Sequence, residues 1–465
     1  MQHPSATNSQ ALVPAAASVP ILRTLSNGVR LLVIPLPHGQ SASVGVFLRV
    51  GSRDETPRTN GVSHVLEHMA FKGTTTRDVQ AINLDAERLG ADVNAYTSKD
   101  TTAYFMTGLG KHADRFLEMT ADIVLNSTFP EAELARELEV IRQEAIEYLE
   151  DPEDASSELL DRATWGEHPM GMPVIGTVEN IERFTRADLV AHVQTHYVAG
   201  NTVVAAAGNF DVEAFLARAE QLFAGMPRSS ADGSPSPPMS PMSPLPPESP
   251  VAPAPPPYVG TALGQRFGQV SQVFMNLAYP LAPATVGELS DPRWRLVASV
   301  AGILFGGGMS APLTDTVRER LGLAYTAEST TEPGDVWFNF LVHAITTPDK
   351  LDQLMAATGK LLREQASQID PVHLERAKNQ LAVSRVRSSE RTYATMERAV
   401  EELFLRGAVT STQETLAMID TISADEVRAL FAQMLLQRPA LAITGKAATG
   451  KAAKQLAATL AAATQ

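Results

Sequence analysis

His64-Val65-Leu66-Glu67-His68 is the segment whose residue types and spacing could do chemistry. On a helix, His64 and His68 are one turn apart and project from one face, about 6 Å from each other. Glu67, three residues after His64, shares that face. Two neutral imidazoles at this spacing suit tetrahedral zinc, and the carboxylate can take a proton from water held at the metal. The order His-x-x-Glu-His inverts the commoner zinc-protease pattern and is itself a catalytic motif. The chain has only 10 histidines, so a chance pair bracketing a glutamate is the weaker explanation. A third ligand is needed, and it should lie on another helix. The stretch Glu133–Glu150 offers Glu133, Glu137, Glu139, Glu144, Glu147 and Glu150. Glu144 falls 76 residues after His68, and Glu137 lies two helical turns earlier on the same face. Spacing alone does not choose among these carboxylates, because a solvated acidic helix face would look the same.

Two other stretches imitate functional motifs. His192 and His196 form a second i, i+4 pair, but no carboxylate stands between them, and they are read as structural. Gly445-Lys446-Ala447-Ala448-Thr449-Gly450-Lys451 follows an apparent strand with the spacing of a phosphate-binding loop. Ala452 stands where that loop needs a Ser or Thr hydroxyl for magnesium, so no nucleotide is expected there.

The elements that must position these residues alternate between strand and helix. Val29–Ile34 and Ser43–Arg49 read as strands after the Asn27-Gly28 turn. Asn60–Phe71 and Glu131–Glu150 read as helices, the second announced by Pro130. Thr101–Thr107, Thr202–Ala206, Val270–Leu277, Val336–Ala344 and Leu441–Thr444 read as further strands. Residues Met226–Tyr258 hold 13 of the 31 prolines with almost no large apolar side chains, the composition of an extended, semi-stiff linker. The sequences on either side echo one another. Glu87-Arg88-Leu89-Gly90 recurs as Glu319-Arg320-Leu321-Gly322 at an offset of 232. The helix start at Thr185 recurs at Ser423 (238), and Leu134 and Arg136 recur as Leu374 and Arg376 (240). Three matches at nearly constant offset indicate an internal duplication. The expected fold is α+β: two homologous domains, 20–225 and 259–462, joined by a linker at 226–258. Each would be a mixed, mostly antiparallel sheet with helices packed on one face.

Composition narrows the function classes. A chain of 465 residues is about three times the common domain size of roughly 150 residues. Lys plus Arg number 38 against 52 Asp plus Glu, a net charge of −14, which argues against a nucleic-acid binder. Cysteine is absent, so a disulfide framework, a thiolate nucleophile and a Cys-held metal are excluded. Any metal must be held by His and carboxylates. The apolar run Ala11–Leu22 is interrupted by Pro14 and Pro20 and is too short to span a bilayer, and the first basic residue is Arg23. A soluble protein without a membrane partner is expected, cytoplasmic by default, with a periplasmic location equally compatible with the composition.

With these residues in view, the chain resembles the inverted-motif zinc peptidases that include pitrilysin, insulin-degrading enzyme and the mitochondrial processing peptidase. The pattern runs through His64, Glu67, His68 and Glu144, the last inside Val140-Ile141-Arg142-Gln143-Glu144. The resemblance implies one Zn2+ per chain held by His64, His68 and Glu144, Glu67 as general base, and Glu137 as a supporting carboxylate behind the ligands. It implies that Asn94 and Ala95, in Asn94-Ala95-Tyr96-Thr97-Ser98, belong to an edge strand that pairs with substrate backbone. In the second half, Gly306-Gly307-Gly308 matches the family's glycine-rich segment, read as flexible backbone near substrate. Arg318 and Tyr325 match its Arg/Tyr pair at the scissile bond. The second half has no His-x-x-Glu-His of its own. The implied activity is a metalloendopeptidase or oligopeptidase acting on peptides or unfolded polypeptides. A catalytically silent partner subunit is the alternative that the resemblance also allows. Since longer relatives close four such domains into a chamber, this two-domain chain is expected to form a homodimer, with closure of its two halves on each other through the 226–258 linker as the alternative. The acidic run Glu144, Glu147, Glu150, Asp151, Glu153 and Asp154 suits basic peptides and equally suits a solvated helix end.

Overall fold

The computed structural model describes residues 19–228, 255–281 and 289–465. Most of the Pro-rich stretch expected to act as a linker lies outside the described residues.

The first half builds a six-stranded sheet from β1 (Ile21–Thr24), β2 (Arg30–Pro35), β3 (Ser41–Leu48), β4 (Asp92–Thr97), β5 (Thr102–Leu109) and β6 (Thr202–Gly208). Its helices are α1 (Val62–Ala70), α2 (Val79–Leu89), α3 (Ala113–Asn126), α4 (Glu131–Glu150), α5 (Pro152–Trp165), α6 (Val178–Ile181), α7 (Arg186–His196) and α8 (Val212–Phe223). The second half contributes β7 (Ala262–Arg266), β8 (Val273–Pro280), β9 (Ala324–Pro333), β10 (Phe338–Thr346) and β11 (Ala440–Gly445). Its helices are α9 (Pro292–Gly306), α10 (Pro312–Thr314), α11 (Leu351–Ser367), α12 (Pro371–Ser389), α13 (Thr392–Arg406), α14 (Thr412–Asp420), α15 (Ala424–Met434) and α16 (Gly450–Thr464). No described helix is long and apolar enough to cross a membrane.

Strand order is β1-β2-β6-β3-β5-β4 in the first sheet and β7-β11-β8-β10-β9 in the second. Set β2, β6, β3, β5 and β4 against β7, β11, β8, β10 and β9, and the sheets match strand for strand. Each contains one parallel pair, β2 with β6 and β7 with β11, in an otherwise antiparallel ladder. The duplication expected from the sequence offsets is therefore present in the topology, with β1 as an addition to the first copy.

Continuous apolar runs in the central strands follow from burial on both faces. In β2, Leu31 and Val33 face a core shared with Phe116 and Leu117 of α3 and Phe215, Leu216 and Phe223 of α8. Leu32 and Ile34 point the other way, where α13 covers them together with Phe47, Val203, Ala205 and Ala207. That helix belongs by sequence to the second half. Its buried residues Met396, Ala399, Val400 and Leu403 fall at i, i+3, i+4 and i+7, one helical stripe. The exchange is reciprocal: Leu160 and Ala163 of α5 lie on Ala278, Ala440 and Ala442 of the second sheet. Alanines in β6 and β11 let the foreign helix approach closely. Each large apolar side chain buried there contributes about 1.5–3 kcal/mol. A compact ion cluster joins the halves as well. Asp335, in the β9–β10 turn, lies 2.6 Å from Arg49 Nε and 3.7 Å from Arg53 Nη2, while Arg53 Nη1 pairs with Asp100 at 2.5 Å. Each sheet thus has its own helices on one face, as expected, and a helix of the other half on the second face.

Candidate metal centre

Helix α1 buries Val62, Val65, Leu66 and Met69 against Leu134, Ile141 and Ala145 of α4. That stripe leaves His64, Glu67 and His68 on the half-buried opposite face. In α4 the buried positions include Glu137, so its carboxylate is drawn beside α1 by the packing of the aliphatic residues around it. Two turns on, Glu144 comes to the same place. One ligand atom each from His64, His68 and Glu144 lie within 4.8 Å of one another, and among the described residues no other His, Asp or Glu group does so. The His64 and His68 ring centroids are 4.7 Å apart, and His68 Nε2 is 3.8 Å from Glu144 Oε2.

The surroundings prepare these groups for a divalent cation. Burial, and then the neighbouring His68, lower the His64 pKa to about 4, which keeps its ring neutral with a free lone pair at neutral pH. His64 Nδ1 is buried and has no hydrogen-bond partner. His68 Nδ1 lies 2.9 Å from Glu137 Oε1, so it carries the ring proton and leaves Nε2 as the donor atom turned towards Glu144. Lys72 Nζ holds the other Glu137 oxygen at 2.7 Å. Burial raises the Glu137 pKa, but the Lys72 and His68 hydrogen bonds outweigh it and hold the carboxyl below its ordinary value. Glu67 differs. Burial pushes its carboxyl up against the pull of the Thr97 hydrogen bond and of His68. Thr97 Oγ1 donates to Glu67 Oε2 at 2.7 Å, leaving Oε1 as the open acceptor. Two imidazoles, one carboxylate and an unpartnered buried ring nitrogen fit zinc.

The site opens into a cleft of about 560 Å³ between the halves, whose walls include His64, Glu67, Ala95 and Glu144. Ala95 belongs to β4, the last strand at one sheet edge, and Asn94 beside it turns outward to solvent. The far wall carries Asn276, Glu332 and Leu341 from the second half and Glu158 and Asp161 from α5. Lys99, the one basic residue lining the cleft, is tied to Asp161 at 2.9 Å and to the Met172 carbonyl at 2.6 Å.

The second-half residues singled out from the sequence lie elsewhere. Arg318 sits on a π-helical turn, Asp315–Arg320, with its guanidinium 5.8 Å from the Tyr325 ring centre. The two are neighbours, but neither lines the cleft, and Tyr325 is 74% exposed. Gly306, Gly307 and Gly308 are also outside it. The expectation of flexible backbone there needs correction at two positions. A Cβ on Gly306 would meet Ser329 N at 2.4 Å, and one on Gly307 would meet Ile303 O at 2.7 Å, so both are held by close packing. Gly308, with φ +105°, is the one of the three in the left-handed region, and a Cβ there would meet only the ends of the Gln380 and Arg376 side chains, at 3.2 and 3.7 Å.

Of the imitating motifs, His192 is buried beneath α1 with Nε2 3.4 Å from Ser63 Oγ. In the 445–451 loop, Thr449 spends its hydroxyl capping α16 through Ala452 N. Sequence reasoning gave no role to Lys72 and placed Thr97 only within the expected edge strand, without its bond to Glu67. Lys72 could have been noticed one turn beyond His68, whereas Thr97 meets Glu67 only through the tertiary fold.

Comparison with known proteins agrees with this geometry. Residues 30–178 match the family profile described as Insulinase (Peptidase family M16), and residues 183–381 match the one described as Peptidase M16 inactive domain. An uncharacterized zinc protease of Rickettsia bellii is 30% identical over 87% of this chain and 92% of its own length. The zinc protease YmxG of Bacillus subtilis is 30% identical over 90% of this chain and 97% of its own. Among solved structures, a protease from Helicobacter pylori superposes with a TM-score of 0.79 at 18% identity, covering 92% of this chain and 100% of that one. A peptidase M16 inactive domain from Pseudomonas fluorescens gives 0.78 at 22% identity, over 92% and 98%. The paired sheets, the His-His-Glu cluster and matches along most of its length place the chain in peptidase family M16, the insulinase family.

Proposed function

We propose that this protein is a zinc-dependent endopeptidase or oligopeptidase, with one zinc per chain held by His64, His68 and Glu144. The observation that carries this reading is the convergence of those three donors within 4.8 Å, with Glu67 on the same helix face. Zinc, when bound, supplies a Lewis acid that activates water and polarises the scissile carbonyl. Glu67 accepts the water proton at Oε1 while Thr97 fixes Oε2, and returns it to the leaving amine. Glu137 and Lys72 hold the His68 ring in one orientation. The free edge of β4 offers backbone pairing to an extended peptide. Asp161 is paired with Lys99, and burial pushes Glu158 up and Glu332 up to about 7. Above that pH these two glutamates leave the cleft a negative surplus that supports basic residues in the substrate.

Arg318 and Tyr325 are the groups to steady the substrate carbonyl and its developing charge, yet they lie off the cleft of their own chain. The reciprocal seating of α5 and α13 and the Asp335 ion cluster oppose any closure of one half on the other. A second copy of the chain can bring the pair to the metal centre, so the working unit is a homodimer with sites completed in trans. The test is a peptide-library digest with and without chelator, alongside metal analysis. Cleavage that stops with chelator and returns with zinc is the expected result. Cleavage indifferent to chelator, or no cleavage by protein carrying about one zinc per chain, would overturn it, the latter in favour of a silent partner subunit.

A further inference from the structure

Helix α1 begins in an unusual way. Its first-turn N–H groups need acceptors, which a Ser, Thr, Asp or Asn at the cap position ordinarily supplies. That position is Gly61, with φ +99° and no side chain to offer. No such residue fits there, because a Cβ on Gly61 would lie 2.7 Å from both Gly176 Cα and Ile175 O. Contact with the 173–176 loop thus excludes an ordinary cap.

The acceptor comes instead from Glu55, six residues upstream and only 3% exposed. Its Oε2 accepts from Gly61 N at 2.8 Å and Asn60 Nδ2 at 3.2 Å, and its Oε1 accepts from Ser63 N at 2.9 Å. The carboxylate therefore spans the first turn and pins the residue immediately before His64. Burial pushes this carboxyl up to about 7 against the pull of the Ser63, Gly61 and Asn60 hydrogen bonds, and above that pH its negative charge also suits the positive end of the helix. Asn60 is tied in turn to the Pro173 carbonyl at 2.9 Å, and Asn180 holds the Pro57 and Asn60 carbonyls at 2.9 and 3.0 Å.

We infer that Glu55 is a positioning residue of the metal centre, acting through the first turn of α1 to set His64 and Glu67 against Glu144. This rests on the reading of His64, His68 and Glu144 as the zinc ligands. Only a carboxylate presents acceptors on both oxygens; a glutamine would turn an N–H group towards either Ser63 N or Gly61 N.

The test is Glu55→Gln in the full chain, with zinc affinity measured by chelator competition and the visible spectrum recorded after cobalt substitution. The expected result is a folded protein whose zinc affinity is weaker by about tenfold or more, with an altered cobalt spectrum. Ala205→Leu, which disturbs only the distant α13 contact, serves as a destabilised control and should leave both readouts at their wild-type values. Unchanged zinc affinity and cobalt spectrum in folded Glu55→Gln would overturn the inference. Should that variant not fold, Glu55→Asp keeps the charge with a shorter reach, and wild-type zinc affinity there would overturn it equally. Wild-type protein that takes up no zinc would remove the ligand assignment itself, a failure distinguishable from that of Glu55 alone.

Discussion

Glu67 on α1 and Glu137 on α4 both lie beside the His64–His68 pair, and their surroundings push them in opposite directions. Burial raises Glu67, while at Glu137 the bonds from Lys72 and His68 overcome burial and lower it. A carboxylate with an open oxygen suits proton transfer, and one held by a cation and an imidazole suits orientation. Glu67→Gln should retain zinc while turnover falls by about two to four decades; metal analysis and turnover of the same preparation check this. Lys72→Met removes the 2.7 Å pair with Glu137, and chelator competition should show zinc affinity reduced about tenfold. Unchanged affinity would mean that Glu137 orients His68 without help. His64, Glu67 and His68 were legible in the sequence because a helical face is a local property. Glu144 was not legible from spacing, because its choice over Glu139 or Glu147 depends on how α4 crosses α1, and only the family resemblance pointed to it.

Elements show the same division between local and tertiary information. The Pro130 start and the whole of Glu131–Glu150 were readable, and each strand read from the sequence exists within a few residues of its expected ends. What stayed hidden was which sheet a helix covers. The stripe Met396, Ala399, Val400 and Leu403 announces a buried face but not that it packs on β2, β3 and β6 of the first sheet, on the far side of the Pro-rich segment. Ala205→Leu should crowd that contact and destabilise the protein by about 1–3 kcal/mol, read as a lower midpoint in denaturant. His192, packed under α1, makes a prediction in pH. Burial, and then His196, lower its pKa from 6.5 to about 3, so the unfolded chain binds a proton there that the folded chain does not. Its contribution to stability is therefore complete above pH 6.5 and is lost as pH falls from 6.5 towards 3. Urea titrations between pH 7 and 4 should show a shallower loss in His192→Gln than in wild type.

At the scale of the molecule, the exchanged helices and the Arg49–Arg53–Asp100–Asp335 cluster bind the halves into one body. The duplication could be read from three sequence offsets; the interlock could not, because nothing local distinguishes a helix that stays on its own sheet from one that crosses. That interlock separates Arg318 and Tyr325 from the metal centre of the same chain. We propose that a second copy supplies them, and mixing two impaired variants separates this arrangement from a site completed within one chain. Glu67→Gln chains lack the proposed base, and Tyr325→Phe chains lack the hydroxyl. In a mixed dimer completed in trans, one site pairs wild-type Glu67 with wild-type Tyr325. With free subunit exchange at equal concentrations, turnover should recover to about a quarter of the wild-type value. Turnover that stays at the level of the separate variants, despite demonstrated exchange, would contradict the claim.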